Sequence, residues 1–325
     1  MPEAQIVDVT SFMPERVVPV RDDLIGEDSP FYHGVRERRF ASPDYLSEDL
    51  GVMAMQRLLE RTGTSPGDID MLLVSCIFTD NFWPGIGPAV QNRVGAKNAT
   101  ILNIDTSCSS YLSGLNAARA FIESGQCRKV AVVTVTNFIS RLPEHQKKKS
   151  GAPLGDGASA TLVAAGTSSF VSSYERSHGE HYGLFRFDPD MVDGVFQNYW
   201  ERGCGPITVN FSKEMIDRIR ENAQNLVPEA VLECLRRANL TTDDVNLLIT
   251  HQPNELFLAD WRQRIGIQPP RVHDTLEKYG NMFQGTIPVS LADALEKERV
   301  NKGDIVAMGT FSNGGDFVSA LTIRW

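Results

Sequence analysis

The chain repeats itself at about half its length, and this repeat restricts its fold more than any other feature. A helix-like stretch from Gly51 to Thr62 passes through a Pro-Gly-Asp turn into DIDMLLVSC, residues 68–76. The same order returns in VPEAVLECLRRANL, the turn TTDD and DVNLLITHQ, residues 244–252. Asp68 then falls on Asp244 and Leu72 on Leu248, a shift of 176. Farther on, a helix-like segment from Cys108 to Ser124 leads into RKVAVVTVT, and one from Phe283 to Val300 leads into GDIVAMGTF, at a shift read as 175. The strand-like runs are apolar and β-branched without polar alternation, which predicts parallel strands covered on both faces by helices. The expected fold is α/β in two similar halves, residues 1–166 and 167–325, with the polar stretch 166–180 between them.

Bulk properties narrow the function. No apolar run approaches the ~18 residues of a membrane span, and the opening MPEAQIVDVTSF lacks the basic-then-apolar order of a signal peptide. The expectation is a cytoplasmic protein with no membrane partner. A net charge of −9 argues against nucleic acid, and Lys147, Lys148 and Lys149 read as a solvated loop. The five cysteines show no CxxC spacing. Neither a zinc site nor a disulfide framework is expected, and the thiols should be reduced.

Cys108 has the most suggestive setting of the five. It lies in ILNIDTSCSSYLSGLNAARAFIESG, where a β-like run ends at Ile104 and a helix begins. The free N–H groups and partial positive charge of a helix start favour thiolate over thiol. Ser107, Ser109 and Ser110 leave room around the sulfur, and Asp105 and Ser107 suit helix capping. His251 closes the strand DVNLLITHQ, and sites in such sheets gather at the carboxyl ends of strands. Asn281, in EKYGN before a further helix, falls on Thr106 at the 175 shift. It would cap that helix, or turn its amide to a site, or do both.

Six blocks then occur in one order: GVRERRFA from Gly34, DTSCSS around Cys108, LGDGASATLVAAG from Leu154, THQPN around His251, YGN around Asn281, and FSNGGDF from Phe311. With them the chain resembles β-ketoacyl-acyl carrier protein synthase III and its relatives in the thiolase superfamily. The resemblance implies a five-layered αβαβα fold, a homodimer and a triad of Cys108, His251 and Asn281. It also implies an oxyanion hole formed by the backbone of Cys108 and the loop of Gly314 and Gly315. Substrates would be thioesters of coenzyme A or acyl carrier protein, with no metal or redox cofactor. A thiolate attacks a thioester to give an S-acyl enzyme, dividing the reaction into two simpler halves. His251 and Asn281 would then donate to the enolate oxygen of a decarboxylating malonyl thioester.

Departures from the family pattern concern the entrance and the acyl cavity. Tyr32 replaces an arginine that helps hold coenzyme A, Asp28 an adenine-stacking tryptophan, and Leu256 a basic residue. Lys148 and Asn254 remain as substrate-binding candidates. Met282, Phe283 and Gln284 replace small residues after Asn281, and Trp83 stands where the family's acyl pocket often has phenylalanine. Trp83 and Phe283 are therefore assigned to the cavity. Some relatives join two acyl chains without prior decarboxylation, using a glutamate near the Trp83 position, but SCIFTDNFWPG has none and Asp80 is only a weak substitute. The expected activity is acyl loading of Cys108 followed by decarboxylative Claisen condensation with a malonyl-type thioester, in polyketide or other specialised metabolism. The alternative is acyl transfer from Cys108 to a hydroxyl or amine.

Overall fold

The computed structural model describes residues 2–21, 32–195 and 197–325. The first half opens with β1 (Glu3–Phe12) and a short ribbon of β2 (Arg16–Pro19) and β3 (Glu37–Phe40). Helix α1 (Ser47–Thr62) leads to β4 (Met71–Ile77), α2 (Gly87–Val94) to β5 (Thr100–Asn103), and α3 (Ser110–Glu123) to β6 (Lys129–Thr136) and β7 (Gly157–Gly166). The second half contains β8 (Phe170–Ser177), the small ribbon of β9 (Phe187–Pro189) and β10 (Ile207–Val209), and the long helix α4 (Lys213–Arg237). It continues with β11 (Leu247–Thr250), α5 (Glu255–Ile265), α6 (Leu276–Tyr279), α7 (Thr286–Glu296), β12 (Ile305–Ser312) and β13 (Phe317–Arg324).

Two large sheets result, ordered β1-β7-β6-β4-β5 and β8-β13-β12-β11. The expectation of parallel strands holds only in part. β4 runs parallel to β5 and β6, and β11 parallel to β12, but β7, β1, β13 and β8 add antiparallel pairings. The cause is local for β12 and β13, because residues 313–316 are too few for a crossover and must reverse the chain. β7 and β13 are buried almost throughout, as the parallel strands are, and hydrophobic pattern could not distinguish their direction, whereas the edge strands β1 and β8 alternate or turn polar.

The pleat sorts side chains into layers. Leu73, Val130 and Val132 from the first sheet meet Leu247, Ile249, Val306 and Met308 from the second across Leu112 and Leu115 of α3 and Leu291 and Ala292 of α7. Their neighbours Leu72, Val74, Ala131 and Val133 turn outward onto Leu50, Met55 and Leu58 of α1. On the opposite side Leu248, Ile305 and Ala307 pack on Val227 and Val231 of α4 and Trp261 of α5. This order is αβαβα, as expected. Each fully buried aliphatic side chain contributes roughly 1.5–3 kcal/mol. α4 lies close enough on β12 that a Cβ on Gly309 would come within 2.5 Å of Val231 Cγ2.

The repeat extends to the turns that open the two central helices. Ser107 (φ 50°) and Phe283 (φ 49°) share a left-handed backbone conformation. Asp105 Oδ1 accepts from the Ser107 N–H at 3.1 Å, as Asn281 Oδ1 accepts from the Phe283 N–H at 2.8 Å. Thr106 N–H donates to Ser110 Oγ at 2.9 Å and Met282 N–H to Thr286 Oγ1 at 3.1 Å. The shift is therefore 176 here too, and the reading of 175 is corrected: Asn281 corresponds to Asp105, and Gln284 to Cys108. Capping polar atoms set this register, which apolar periodicity does not sense.

Candidate active site

Cys108, His251 and Asn281, far apart in sequence, line one cavity of about 290 Å³ between the halves. The sheets bring them there. Cys108 lies in the turn Ser107–Ser109 that opens α3, His251 directly follows β11, and Asn281 precedes the turn Phe283–Gly285 that opens α7. Asn281 is held by its backbone, donating to Pro153 O at 2.6 Å and accepting from the Gly155 N–H at 3.1 Å. The His251 N–H donates to Gly309 O at 2.9 Å.

The Cys108 environment differs from the sequence expectation of a helix-stabilised thiolate. The residue is buried at 7 % exposure. Burial pushes its thiol up to about 12, helped by the charge of Asp316 and opposed by Ser107 and by the backbone N–H groups of Cys108 and Asn313. Desolvation of a thiolate outweighs the helix terminus, and a short turn separates the sulfur from the first regular turn of α3. Burial also pulls His251 down to about 3. Burial thus works against the charged form of both groups. His251 Nδ1 has no hydrogen-bond partner among the described residues, and its ring meets the Phe311 ring edge-on at 6.2 Å.

Asn281 performs the local capping role while leaving its donor available. Its Oδ1 is engaged by the Phe283 N–H, and its Nδ2 has no bonded acceptor among the described residues. Both alternatives raised by its sequence position are therefore compatible. Asn254 behaves similarly: its Oδ1 caps α5 through the Phe257 N–H at 2.9 Å, and it lines the cavity. Phe283 lines the cavity as expected, together with Phe185, Val209, Phe211 and Ile219. These last four escaped sequence analysis, since nothing in an apolar segment marks it as a cavity wall rather than a core.

Other assignments need correction. Gly315 does not line the cavity, and its N–H donates to Ser312 O at 2.6 Å. Gly314 does line it, with its carbonyl accepting from Asn222 Nδ2 at 2.8 Å. From this loop it is the Asn313 N–H that favours the Cys108 thiolate, and the Asn313 side chain meets the Cys108 turn through Ser107 Oγ at 2.8 Å. Its left-handed φ of 47° is one that asparagine tolerates better than most residues, the only sequence signal for it. Trp83 is 84 % exposed and outside the cavity, on the loop that packs against β5 where Asn103 Oδ1 accepts from the Gly87 N–H. Lys148 is also outside it: its ammonium is held by Asp190, by Thr208 Oγ1 at 3.1 Å and by Asn210 Oδ1 at 3.4 Å. Asp80 caps α1 through Ser47 and pairs with Arg141 at 3.0 Å, so it is not placed as a base. Tyr32 lines the cavity, Leu256 is 42 % exposed, and Asp28 lies outside the described residues.

Comparison with known proteins extends this picture. Residues 102–179 match the family described as 3-oxoacyl-[acyl-carrier-protein] synthase III, and residues 235–325 its C-terminal counterpart. The β-ketoacyl-[acyl-carrier-protein] synthase III of Listeria welshimeri is 30% identical over 329 residues, covering 99% of both chains. The Thermus thermophilus synthase III structure superposes with a TM-score of 0.85 at 24% identity, covering 98% of each chain. The priming β-ketosynthase of the R1128 polyketide pathway gives 0.84 at 22%, covering 100% of this chain and 97% of the other. These two structures establish the thiolase-like fold. Near-complete two-way coverage at 30% identity goes further than fold alone: the chain belongs to the β-ketoacyl-[acyl-carrier-protein] synthase III-like family of the thiolase superfamily.

Proposed function

We propose that the enzyme accepts an acyl group on Cys108 and joins it to a malonyl-type thioester by decarboxylative Claisen condensation. The observation that carries this reading is the division of labour at Asn281. Its Oδ1 is occupied by the Phe283 N–H, so its amide N–H groups remain to donate, in the same cavity as neutral His251. In loading, the Cys108 sulfur attacks the thioester carbon while His251 takes the thiol proton and returns it to the departing thiol. The carbonyl oxygen gains its charge at the N–H groups of Cys108 and Asn313. In the second half, carbon dioxide leaves the malonyl group and its electron pair forms an enolate, whose oxygen accepts from Asn281 and the imidazole N–H. The enolate carbon attacks the acyl carbonyl, and the tetrahedral intermediate expels the Cys108 sulfur as thiolate, which takes a proton from water to restore the thiol. Preorganised donors of this kind are worth about 3–4 kcal/mol each.

The test is to pre-load Cys108 and add a malonyl thioester, following adduct loss by intact mass together with carbon dioxide release. Adduct loss without carbon dioxide, when an alcohol or amine is supplied, would favour the alternative of transfer to oxygen or nitrogen. One observation favours that alternative: Lys148 is engaged by Asp190 and Tyr32 and Leu256 replace cations, which leaves Arg220 as the one Lys or Arg among the described residues that line the cavity. We propose polyketide or other specialised metabolism as the setting, with acyl carrier protein or coenzyme A thioesters as donors. A homodimer paired through the first half is proposed as well. The open edge of β5, with Leu102 at 43 % exposure and the bared Phe82 and Trp83 on the adjoining loop, supports it. Light scattering at micromolar concentration that gave the mass of one chain would reject the dimer. No helix among the described residues is long and apolar enough to cross a membrane.

A further inference from the structure

A buried carboxylate is tied to the nucleophile turn by side chains that neither the core nor the proposed chemistry accounts for. Ser107 Oγ lies 3.9 Å from the Cys108 sulfur and donates to Asn313 Oδ1 at 2.8 Å. Asn313 Nδ2 donates in turn to Asp316 Oδ2 at 3.0 Å. Both ends of one amide are thereby gripped, one from each half of the molecule. Ser312 strengthens the seam, its hydroxyl donating to Thr106 O at 2.7 Å and accepting from the Ser109 N–H at 2.8 Å. Asp316 is only 7 % exposed, and its Oδ1 has no partner among the described residues.

Burying a carboxyl group with an unanswered oxygen costs stability. The four-residue connection between β12 and β13 does not require one, since its reversal is already made by Asn313, Gly314 and Gly315 at positive φ. What the clamp does is fix Asn313 beside the Cys108 turn, where its backbone N–H favours negative charge on the sulfur. We propose that Asp316 is a positioning residue which, through the Asn313 amide, holds the Asn313 N–H where the acyl oxygen develops its charge, with Ser107 as the opposing grip. This inference rests on the reading that Cys108 is acylated.

The experiment compares two reactions of the same thiol in the full-length enzyme. Acylation by hexanoyl-N-acetylcysteamine thioester needs an oxyanion site, whereas alkylation by iodoacetamide does not. Asp316→Ala should slow maximal acylation about 10- to 30-fold, less than outright loss of an oxyanion donor. The half-saturating thioester concentration should change by no more than about twofold, and alkylation should not slow, because losing the Asp316 charge that raises the Cys108 thiol favours its thiolate. Asp316→Asn, which still presents a carbonyl oxygen to Asn313 Nδ2, should recover most of the loss. Asn313→Gly keeps the left-handed backbone and its N–H but removes the clamp, so it should match Asp316→Ala, and the double variant should be no slower. Wild-type acylation in Asp316→Ala, equal loss of alkylation and acylation, or an additive double variant would each overturn the proposal. Should Asp316→Ala fail to fold, wild-type acylation by Asn313→Gly would overturn it equally. A wild-type protein that iodoacetamide alkylates but no thioester acylates would reject the acyl-enzyme reading itself, and the clamp's role with it.

Discussion

Replacing Asn281 by Asp or by Ala separates its structural work from its chemical work. Asp keeps an oxygen for the Phe283 N–H, which Asn281 Oδ1 accepts at 2.8 Å, but when ionised it has no proton to donate. Ala loses both functions. The cap is worth about 1 kcal/mol, a fall of only a few degrees in Tm for a protein of this size. The missing donor should cost about 2.7–4 kcal/mol, or 10²- to 10³-fold in rate. Acyl loading should proceed nearly unchanged in both variants if, as proposed, its charge develops at the Cys108 and Asn313 N–H groups. The assay is single turnover: Cys108 is loaded, the free donor removed, a malonyl thioester added, and adduct decay followed by intact mass. Working near pH 8 favours the ionised form of the introduced carboxyl. The expected pattern is slow decay in both variants, with Tm lowered in Asn281→Ala by the lost cap and in Asn281→Asp by a carboxylate placed at a position only 8 % exposed. Decay at the wild-type rate in Asn281→Asp would refute the assignment of an enolate donor to this amide.

Cys108→Ala should abolish covalent acylation, while substitution of Cys76, Cys127, Cys204 or Cys234 should leave it, as intact mass will show; an adduct persisting without Cys108 would exclude it as nucleophile. Gly155→Ala would place a Cβ 2.2 Å from Tyr279 O, in the segment whose N–H braces Asn281, so folded yield and acyl turnover should both fall sharply; full activity would mean the brace is dispensable. Burial lowers His145 to about 4 and His251 to about 3. Below the unfolded value of about 6.5 the unfolded chain binds protons that the folded one refuses, so stability falls with falling pH by about 1.4 kcal/mol per unit per histidine. Denaturant titrations between about pH 7 and 5 should show a shallower loss for His145→Gln than for wild type; identical slopes would contradict the burial argument. Lys148→Ala leaves Asp190 with the Thr208 hydroxyl at 2.6 Å and breaks a pair about a third exposed, so it should change Tm little and leave KM for a carrier-borne thioester unchanged; a raised KM would instead place Lys148 at the substrate.

The internal repeat and three residue types at strand and helix ends were legible in the sequence, because apolar periodicity and turn chemistry are local and survive in the order of residues. They were enough for two α/β halves and, with six ordered blocks, for the family, and they pointed to three residues that the fold brings to one cavity. The reversed directions of β7 and β13 were not legible, since a strand buried almost throughout has the same pattern in either direction. Nor was the protonation of the site: a helix start argues for thiolate, but the desolvation that raises Cys108 comes from side chains far away in sequence. Trp83 and Lys148 occupied plausible positions along the chain, yet one side chain faces outward and the other is held by Asp190. Orientation and competing partners are products of packing. The Ser107–Asn313–Asp316 clamp joins residues about two hundred positions apart, and only the closure of one half upon the other could bring them together.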